Sequence, residues 1–180
     1  YVEVSLDSPE PEEHDEFRGV PGSWRRAVEG IRNAKKAGLT VGIAMTITKL
    51  NMDRVPEMVE LAKELRVDKL IAFNFIPTGR GRELLELDLS PREREKVLEY
   101  LYSQLIEENG LQVFSTSPIY AVISLKHSSS GGIIAPTHFA GVPLESGLVS
   151  AGVALAEFIG GCGAGRIYCS IEHNGDVKPC

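Results

Sequence analysis

Cysteine is scarce in this chain of 180 residues, which has three cysteines, all within its last nineteen residues. The odd number of cysteines and the lack of a basic, apolar leader argue against a secreted protein stapled by disulfides. No apolar run approaches the roughly 20 residues that a membrane-spanning helix needs. We therefore expect a cytoplasmic protein with no membrane partner, in which the clustered cysteines bind metal.

Basic residues are outnumbered by acidic ones. The chain has 19 Lys and Arg against 25 Asp and Glu, a formal net charge of −6. This balance argues against a nucleic-acid partner and against a polybasic membrane-surface binder. Hydrophobic residues make up 43% of the chain, enough for the core of one compact domain or a large part of one. Because the chain starts at Tyr1 and ends inside a motif at Cys180, we interpret it as a piece of a longer protein.

Three stretches in the first half of the chain have the pattern of β-strands, near residues 2–6, 40–47 and 69–76. The first alternates apolar and polar residues, and the other two are almost continuously apolar, as buried parallel strands are. Strands that alternate with helices predict parallel βαβ units. We expect the second half of a parallel (βα) barrel, with an independent small doubly wound domain as the alternative.

Helix patterns fill the gaps between these strands. Ser23 can cap a helix that runs to about Ala37, and Asn51 or Asp53 can open the next one. The acidic stretch Asp7–Glu16 is predicted to be a polar loop.

The chain changes character after residue 77. A basic, glycine-rich loop is predicted first, and Ser90 with Glu93 then forms a capping box for a further helix. A helix of small residues is predicted at 148–159, and a small β-hairpin at the end. These features divide the chain into a barrel half (1–110), a linker with a helix (111–160) and the start of a metal module (161–180).

The last nineteen residues carry the chemistry. Asn174-Gly175 is a strong hairpin signal, and folding that hairpin brings Cys162 and Cys180 to the same end. Two thiolates beside a glycine-rich turn suit an iron–sulfur or a zinc site, whose remaining ligands would lie beyond Cys180. Cys169 is either a third ligand or, from strand alternation, a buried core thiol.

This tail resembles the opening of the SPASM module, which belongs to the radical S-adenosylmethionine (SAM) enzymes. Cys162 is followed by twelve residues, Gly175, four residues and Cys180, within Gly-Asp-Val-Lys-Pro-Cys. The upstream half is similar to the same family. The matching stretches are Val4-Ser5-Leu6-Asp7, His14-Asp15, Phe17-Arg18-Gly19, Gly22-Ser23-Trp24 and Asn74-Phe75-Ile76-Pro77-Thr78-Gly79-Arg80-Gly81.

The resemblance implies a set of site residues at the mouth of a radical SAM barrel. It implies that Ser5 and Arg18 meet the SAM carboxylate, that Asp7 orients the loop, and that Asn74 and the Ile76 backbone lie at the mouth. Arg80 and Arg82 could clamp substrate carboxylates, and His138 could ligate substrate iron or act as an acid or base. The implied cofactors are SAM, a catalytic 4Fe–4S cluster and an auxiliary 4Fe–4S cluster that starts at Cys162 and Cys180.

One departure from the family is the missing Cys-x-x-x-Cys-x-x-Cys motif, which should lie upstream of Tyr1. We therefore expect this piece alone to be inactive. Residues 156–169 resemble the radical SAM haem synthases that decarboxylate iron-coproporphyrin III.

The resemblance implies a tetrapyrrole substrate and an electron donor as partners. The alternatives are a radical SAM maturase of a peptide or of a haem d1 precursor, and a non-catalytic zinc- or cluster-binding α/β module. A third is a substrate-binding α/β domain with core thiols.

Overall fold

Four parallel strands form the centre of the computed structural model, which describes residues 1–106, 110–128 and 169–179. The strands follow the chain order across the sheet, and every neighbouring pair is parallel. This confirms the predicted α/β fold. The strands are β1 (Val2–Ser5), β2 (Val41–Ile47), β3 (Lys69–Asn74) and β4 (Gln112–Ser115).

Helices connect each strand to the next. Two helices lie between β1 and β2, and one each lies between β2 and β3 and between β3 and β4. Short 3₁₀ segments, Met52–Arg54 and Gly79–Leu87, precede two of them. The helices are α1 (Pro11–Arg18), α2 (Ser23–Lys36), α3 (Val55–Glu64), α4 (Pro91–Ile106) and α5 (Pro118–Ser128).

Helix α1 occupies a stretch that the sequence predicted to be a polar loop, and that prediction was wrong. Pro11 stands in its first turn, where a missing N–H costs nothing, and Glu12 and Glu13 lie near its positive end. Gly19 ends the helix in the left-handed conformation, at φ 66°. The sequence hid this helix because His14 is its only buried residue, too little for an apolar stripe. The predicted glycine-rich loop after residue 77 is also helical in part, as the 3₁₀ segment Gly79–Leu87.

The predicted capping box is present at the start of α4. The Glu93 N–H donates to Ser90 Oγ over 3.3 Å, and the Ser90 N–H donates to Glu93 Oε2 over 2.7 Å. Two N–H groups at the helix start are therefore satisfied by side chains.

One face of the sheet is covered by the helices and holds the core. Its central row runs across all four strands in register and consists of Val4, Ile43, Leu70 and Val113. The last three are at most 1% exposed. Apolar residues of α2, α3 and α4 complete this core, among them Val28, Ile31, Met58, Val59, Leu98 and Leu101.

The opposite face of the sheet is open toward the carboxyl ends of the strands. Ser5 is exposed there, and its neighbours Ala44, Thr46 and Phe73 are half-buried. A sheet covered by helices on one face and open at the carboxyl end of the other is what half of a (βα) barrel presents, because the inner face of a barrel packs on its other strands.

The sheet continues past residue 110, where the sequence placed the end of the barrel half. Strand β4 pairs with β3 from Lys69 opposite Gln112 to Ala72 opposite Ser115. Tyr120 of α5 is fully buried, and its hydroxyl donates to the Val113 carbonyl over 3.3 Å. Residues 111–128 therefore belong with the α/β layer. The helix predicted at 148–159 lies outside the described residues.

The predicted hairpin is present near the end of the chain. Strands β5 (Ser170–Ile171) and β6 (Val177–Lys178) pair antiparallel. Gly175 has φ 90°, a value that only glycine adopts readily, which explains the Asn-Gly pair in the turn. Within the described ranges, no helix has both the length and the apolar character to cross a membrane.

Candidate functional site

The carboxyl ends of β1, β2 and β3 meet at one edge of the sheet. Ser5 ends β1 and pairs with Ala44, while Ile47 ends β2 and pairs with Asn74, the last residue of β3. Parallel sheets bind their ligands at this edge, in the loops that follow the strands. Ser5 and Asn74 share it, as the sequence predicted.

Asp7 makes hydrogen bonds to several elements at this edge. It follows β1 and is fully buried. Its Oδ1 accepts a hydrogen bond from the Thr46 N–H over 2.9 Å, and its Oδ2 accepts one from Arg18 Nε over 2.6 Å. Its own N–H donates to His14 Nδ1 over 3.1 Å, and its carbonyl accepts from Asn51 Nδ2 over 2.8 Å. Asp7 thus joins β2, the loop after β2, and the middle and the last residue of α1.

Asn51 makes the complementary link from the loop after β2. Its side chain is 4% exposed, and its Nδ2 donates to the carbonyls of both Asp7 and Thr46, the latter over 2.9 Å. Its Oδ1 accepts from the Thr48 N–H over 2.8 Å. The loop after β2 is therefore closed onto the loop after β1 by one amide group.

His14 is buried in the neutral form. Because the Asp7 N–H donates to Nδ1, that nitrogen carries no proton, and the neutral ring holds its proton on Nε2. Burial lowers the pKa of His14, against the opposing effect of the Asp7 carboxylate. This histidine acts as an acceptor that fixes the turn after β1.

A cavity of about 500 Å³ lies above this edge. Its walls come from the loop after β1, from α1, from the loop after β2 and from the segment after β3. The apolar lining residues are Phe17, Leu50, Phe75, Leu84 and Leu87, and the polar ones are Asp7, Ser8, Glu13, Glu16, Thr48 and Asn51.

Most of the polar lining is already engaged within the protein. Glu13 accepts from Arg54 Nη2 and from Ser8 Oγ, both over 2.6 Å, and the bond with Arg54 is the main cause of its lowered pKa. Glu16 is exposed, and its carboxylate makes no hydrogen bond to the described residues. The cavity therefore offers a ligand apolar surface and the free carboxylate of Glu16, a lining that suits an uncharged or cationic group better than an anionic one.

Arg18 lies beside the cavity, at the end of α1. Its side chain is 36% exposed, and its guanidinium carbon lies 5.9 Å from the centre of the Phe17 ring. Only Nε is bound to Asp7, and the two Nη atoms make no hydrogen bond to the described residues. The outer edge of the guanidinium can therefore take a carboxylate in a two-pronged hydrogen bond.

The remaining predicted cofactor residues differ in their placement. Ser5 is exposed on the open face, and its hydroxyl makes no hydrogen bond to the described residues. Ile76 is 65% exposed, and its carbonyl accepts from the Thr78 N–H over 2.8 Å. Asn74 lies on the other face, in line with Leu70 and Ala72, and borders a small gap beneath α4. It shares the sheet edge with Ser5 but not the open face.

The two predicted substrate arginines lie in the segment after β3. Arg82 is exposed in the 3₁₀ segment after β3, and Arg80 belongs to the same segment. His138 lies outside the described residues. The basic loop nevertheless stands at the same sheet edge as the cavity, which is lined by Leu84 and Leu87 of that segment.

The predicted metal site falls largely outside the described residues, since neither Cys162 nor Cys180 is among them. Cys169 is exposed, so the alternative of a buried core thiol was wrong. Strand alternation did not apply because β5 begins only at Ser170, and Ile171 in that strand is itself 73% exposed. Among the described ranges, no three metal-ligating side chains converge.

Sequence reasoning missed several residues that build this edge. Asp15 accepts from the Trp24 N–H over 2.8 Å and from Ser23 Oγ over 2.9 Å, and it also accepts from the Gly22 N–H. It therefore caps α2 from outside the helix, where Ser23 was predicted to be the cap. The signal was present in the His14-Asp15 and Gly22-Ser23-Trp24 stretches, which a local capping pattern does not connect because they lie seven residues apart.

The chain is similar in sequence to curated enzymes over nearly its whole length. It is 32% identical to the AdoMet-dependent heme synthase of Methanosarcina barkeri over 180 residues, 99% of this chain and 47% of that protein. It is 31% identical to the mycofactocin maturase MftC of Mycolicibacterium smegmatis over 184 aligned positions, 99% of this chain and 38% of that protein. The chain thus spans less than half of the length of either relative. No family model matches it.

The fold is shared with SuiB of Streptococcus suis. The structure of SuiB bound to the precursor peptide SuiA superimposes with a TM-score of 0.64 at 15% identity, over 99% of this chain and 36% of SuiB. The structure of SuiB bound to S-adenosylmethionine gives a TM-score of 0.60 at 18% identity, with the same coverage. These likenesses confirm the resemblance to the radical SAM proteins, and to the haem synthases among them, that the motifs indicated.

Proposed function

We propose, from this likeness to the radical SAM haem synthases, that the chain forms the second half of a radical SAM barrel and the start of an auxiliary iron–sulfur module. The observation that carries the proposal is the similarity to the AdoMet-dependent heme synthase, which extends over 99% of the chain. The barrel half would comprise residues 1–110 with the sheet's continuation through β4, the linker would extend to residue 160, and the module would start at 161. The whole protein would then be an enzyme.

The groups at the carboxyl edge fit S-adenosylmethionine. The Arg18 Nη edge and the Ser5 hydroxyl, neither bound to a described residue, suit its carboxylate and the other hydrogen-bonding groups of the cofactor. The exposed Ile76 and its backbone suit the flat face of adenine. Asn74 and Asp7 contribute by positioning, since the first faces α4 and the second is fully buried.

When bound, SAM and the catalytic cluster would supply the hydrogen-abstracting chemistry: one electron from the cluster would break the C5′–S bond of SAM, which gives methionine and a 5′-deoxyadenosyl radical. We propose that the substrate is iron-coproporphyrin III. Each reacting propionate would lose one hydrogen atom to the radical, one carbon dioxide and one electron, which leaves a vinyl group. The electron would pass to a one-electron acceptor, and the auxiliary 4Fe–4S cluster at Cys162 and Cys180 fits that role. An external electron donor completes the set of partners.

The charge of the described edge constrains how such a substrate is held. The cavity presents apolar walls and the free carboxylate of Glu16, which repels propionates. The start of the 3₁₀ segment after β3, with Arg80 and Arg82, stands at the same edge and supplies cationic residues for the propionates. We therefore propose that these two arginines, with His138 as a further candidate, face the carboxylates of the substrate.

The test uses the full-length protein, reconstituted with iron and sulfide without oxygen. Incubation with SAM, a reductant and iron-coproporphyrin III should yield 5′-deoxyadenosine and a porphyrin that has lost the elements of formic acid at each reacting propionate. Mass spectrometry reads both products. No 5′-deoxyadenosine under any condition would remove the radical SAM proposal. 5′-Deoxyadenosine with an unchanged porphyrin would remove only the haem substrate.

A second candidate is a radical SAM maturase that modifies a peptide. The chain is 31% identical to a mycofactocin maturase over 99% of its length, nearly the identity it shares with the heme synthase. It also shares the fold of a protein solved with a precursor peptide. In the same assay, this function would show as 5′-deoxyadenosine formation that depends on an added peptide and not on the porphyrin. A haem d1 precursor would show as a dependence on that tetrapyrrole.

We also propose that the protein works in the cytoplasm. Iron–sulfur clusters that must be reduced for each turnover need a reducing compartment, and free cysteines stay reduced there.

A further inference from the structure

We infer that Asp7 is a positioning residue that aims the Arg18 guanidinium and joins the loops after β1 and β2, so that this sheet edge is shaped for S-adenosylmethionine before it binds. The inference rests on the proposed function, and it assigns a role through Arg18 and not through contact with the cofactor.

Asp7 borders the cavity, but it has no polar group left over for a ligand at the described edge. Its relative exposure is 0%, and all four of its polar groups are engaged, by Thr46, Arg18, His14 and Asn51. A buried carboxylate without partners would cost several kcal/mol, so these bonds are obligatory for the fold. What distinguishes Asp7 is that its partners come from three separate segments, α1, β2 and the loop after β2.

The bond to Arg18 constrains one edge of the guanidinium and leaves the other edge available. Asp7 Oδ2 holds Nε at 2.6 Å, while the Nη atoms are not bound by the described residues. An arginine without such a partner samples many rotamers and loses side-chain entropy when it binds a ligand. Because Asp7 restricts Arg18 beforehand, part of this cost is met by folding and not by binding.

Asn51 couples the second loop to the same point. Its amide bridges the carbonyls of Asp7 and Thr46. These two residues are also bonded to each other, since the Thr46 N–H donates to the Asp7 carboxylate. A shift of Asp7 therefore moves the loop after β2, with Thr48 and Leu50, into or out of the cavity that they line.

The chain offers a matched control at the opposite edge of the sheet. Asp68 Oδ2 accepts from the Val41 N–H over 2.7 Å and from Lys35 Nζ over 2.8 Å. Like Asp7, it therefore bonds to a backbone N–H of β2 and to a basic side chain of the preceding helices. It lies at the amino end of the strands, away from the proposed cofactor edge.

The experiment measures SAM affinity by equilibrium dialysis in the full-length, anaerobically reconstituted protein. Asp7→Asn keeps the shape of the side chain but removes the charge that holds Arg18, and it should weaken SAM binding by about tenfold or more. Asp68→Asn should lower the melting temperature while SAM affinity stays within about twofold of the wild type. Unchanged SAM affinity in a folded Asp7→Asn protein, or an equal loss in Asp68→Asn, would overturn the inference.

A double-mutant cycle tests the route through Arg18. In an Arg18→Gln background, Asp7→Asn should cause little further loss of affinity, because the two residues act as one unit. Losses that simply add would contradict that route. If Asp7→Asn does not fold, SAM affinity is measured in Arg18→Lys instead. Arg18 is 36% exposed, so this variant should fold. Lysine can still pair with Asp7 but lacks the outer guanidinium edge that would bind the SAM carboxylate. Wild-type affinity in Arg18→Lys would overturn the inference. A wild-type protein that binds no SAM would overturn the proposed function and this inference together.

Discussion

Asp7 and Asp68 hold opposite ends of strand β2 with the same pair of interactions. Asp7 accepts from the Thr46 N–H and from Arg18, and Asp68 accepts from the Val41 N–H and from Lys35. Arg18 belongs to α1 and Lys35 to α2, the two helices between β1 and β2. This connection is therefore bonded to the sheet at both its carboxyl and its amino edge. The two sites differ in burial: the Asp7 side chain is fully buried, whereas that of Asp68 is 39% exposed.

Replacing Asp15 with Ala should destabilise the start of α2. The carboxylate accepts hydrogen bonds from Trp24, Gly22 and Ser23, and the bond from the Trp24 N–H is the main cause of its lowered pKa. The variant leaves N–H groups at the helix start without a partner, so the melting temperature should fall. Glu29→Ala, on the exposed side of the same helix, should have little effect. Equal melting temperatures for the two variants would contradict the capping role.

The stability of the protein should fall in mildly acidic solution because of His14. Burial lowers the pKa of this histidine in the folded state, so between its folded pKa and the unfolded value of about 6.5 the unfolded chain binds more protons. The contribution is therefore fully present above about pH 6.5 and is lost as the pH falls toward the folded pKa. Thermal unfolding measured across this range should show it.

The control for this prediction is His14→Asn, whose side-chain oxygen can still accept from the Asp7 N–H but does not titrate near neutral pH. It should have a shallower dependence of melting temperature on pH than the wild type. His173→Asn, at the exposed hairpin, should leave the slope unchanged. A wild-type slope in His14→Asn would assign the acid sensitivity to other groups.

Replacing Arg66 with Gly should stabilise the protein. Arg66 follows α3 with φ 53°, the left-handed conformation that non-glycine residues adopt at a cost of about 1–2 kcal/mol. Glycine removes this cost but gains freedom in the unfolded chain, so we expect a net gain of about 0.5–1 kcal/mol in the free energy of unfolding. Arg66→Ala keeps the backbone strain and should behave like the wild type. Denaturant unfolding that gives the glycine and alanine variants equal stability would contradict the argument.

Replacing Cys162 or Cys180 with Ala should remove the iron of one cluster from the reconstituted full-length protein. SAM cleavage at the catalytic cluster should survive, because the ligands of that cluster are proposed to lie elsewhere in the protein. Cys169→Ser is the matched variant, and iron loss in it would assign the exposed Cys169 as a third ligand. Unchanged iron content in both alanine variants would exclude these cysteines as ligands and remove the basis of the auxiliary cluster.

The elements with strong patterns were predictable from the sequence. The continuous apolar stretch of β2 and the Ser90–Glu93 capping box appear in the structure where they were predicted. Helix α1 was missed because it buries a single side chain and so has no apolar stripe, and one of its tertiary contacts, from Glu13 to Arg54, joins residues 41 positions apart. Local patterns report neighbours in the chain, and contacts over such distances leave no periodic signal.

The sequence by itself determined the alternation of β1, β2 and β3 with helices, the hairpin turn at Gly175 and the family resemblance, because these depend on residue periods and on local backbone preferences. Tertiary structure alone decided what Asp7 and Arg18 do. The family resemblance implied that Asp7 orients the loop and that Arg18 meets the SAM carboxylate, but nothing in the sequence paired the two residues, which lie eleven positions apart. The carboxylate becomes buried only when β1, α1 and β2 pack together. A buried charge is stable only when it is paired and hydrogen-bonded, so packing fixes its bonds to Thr46 and Arg18.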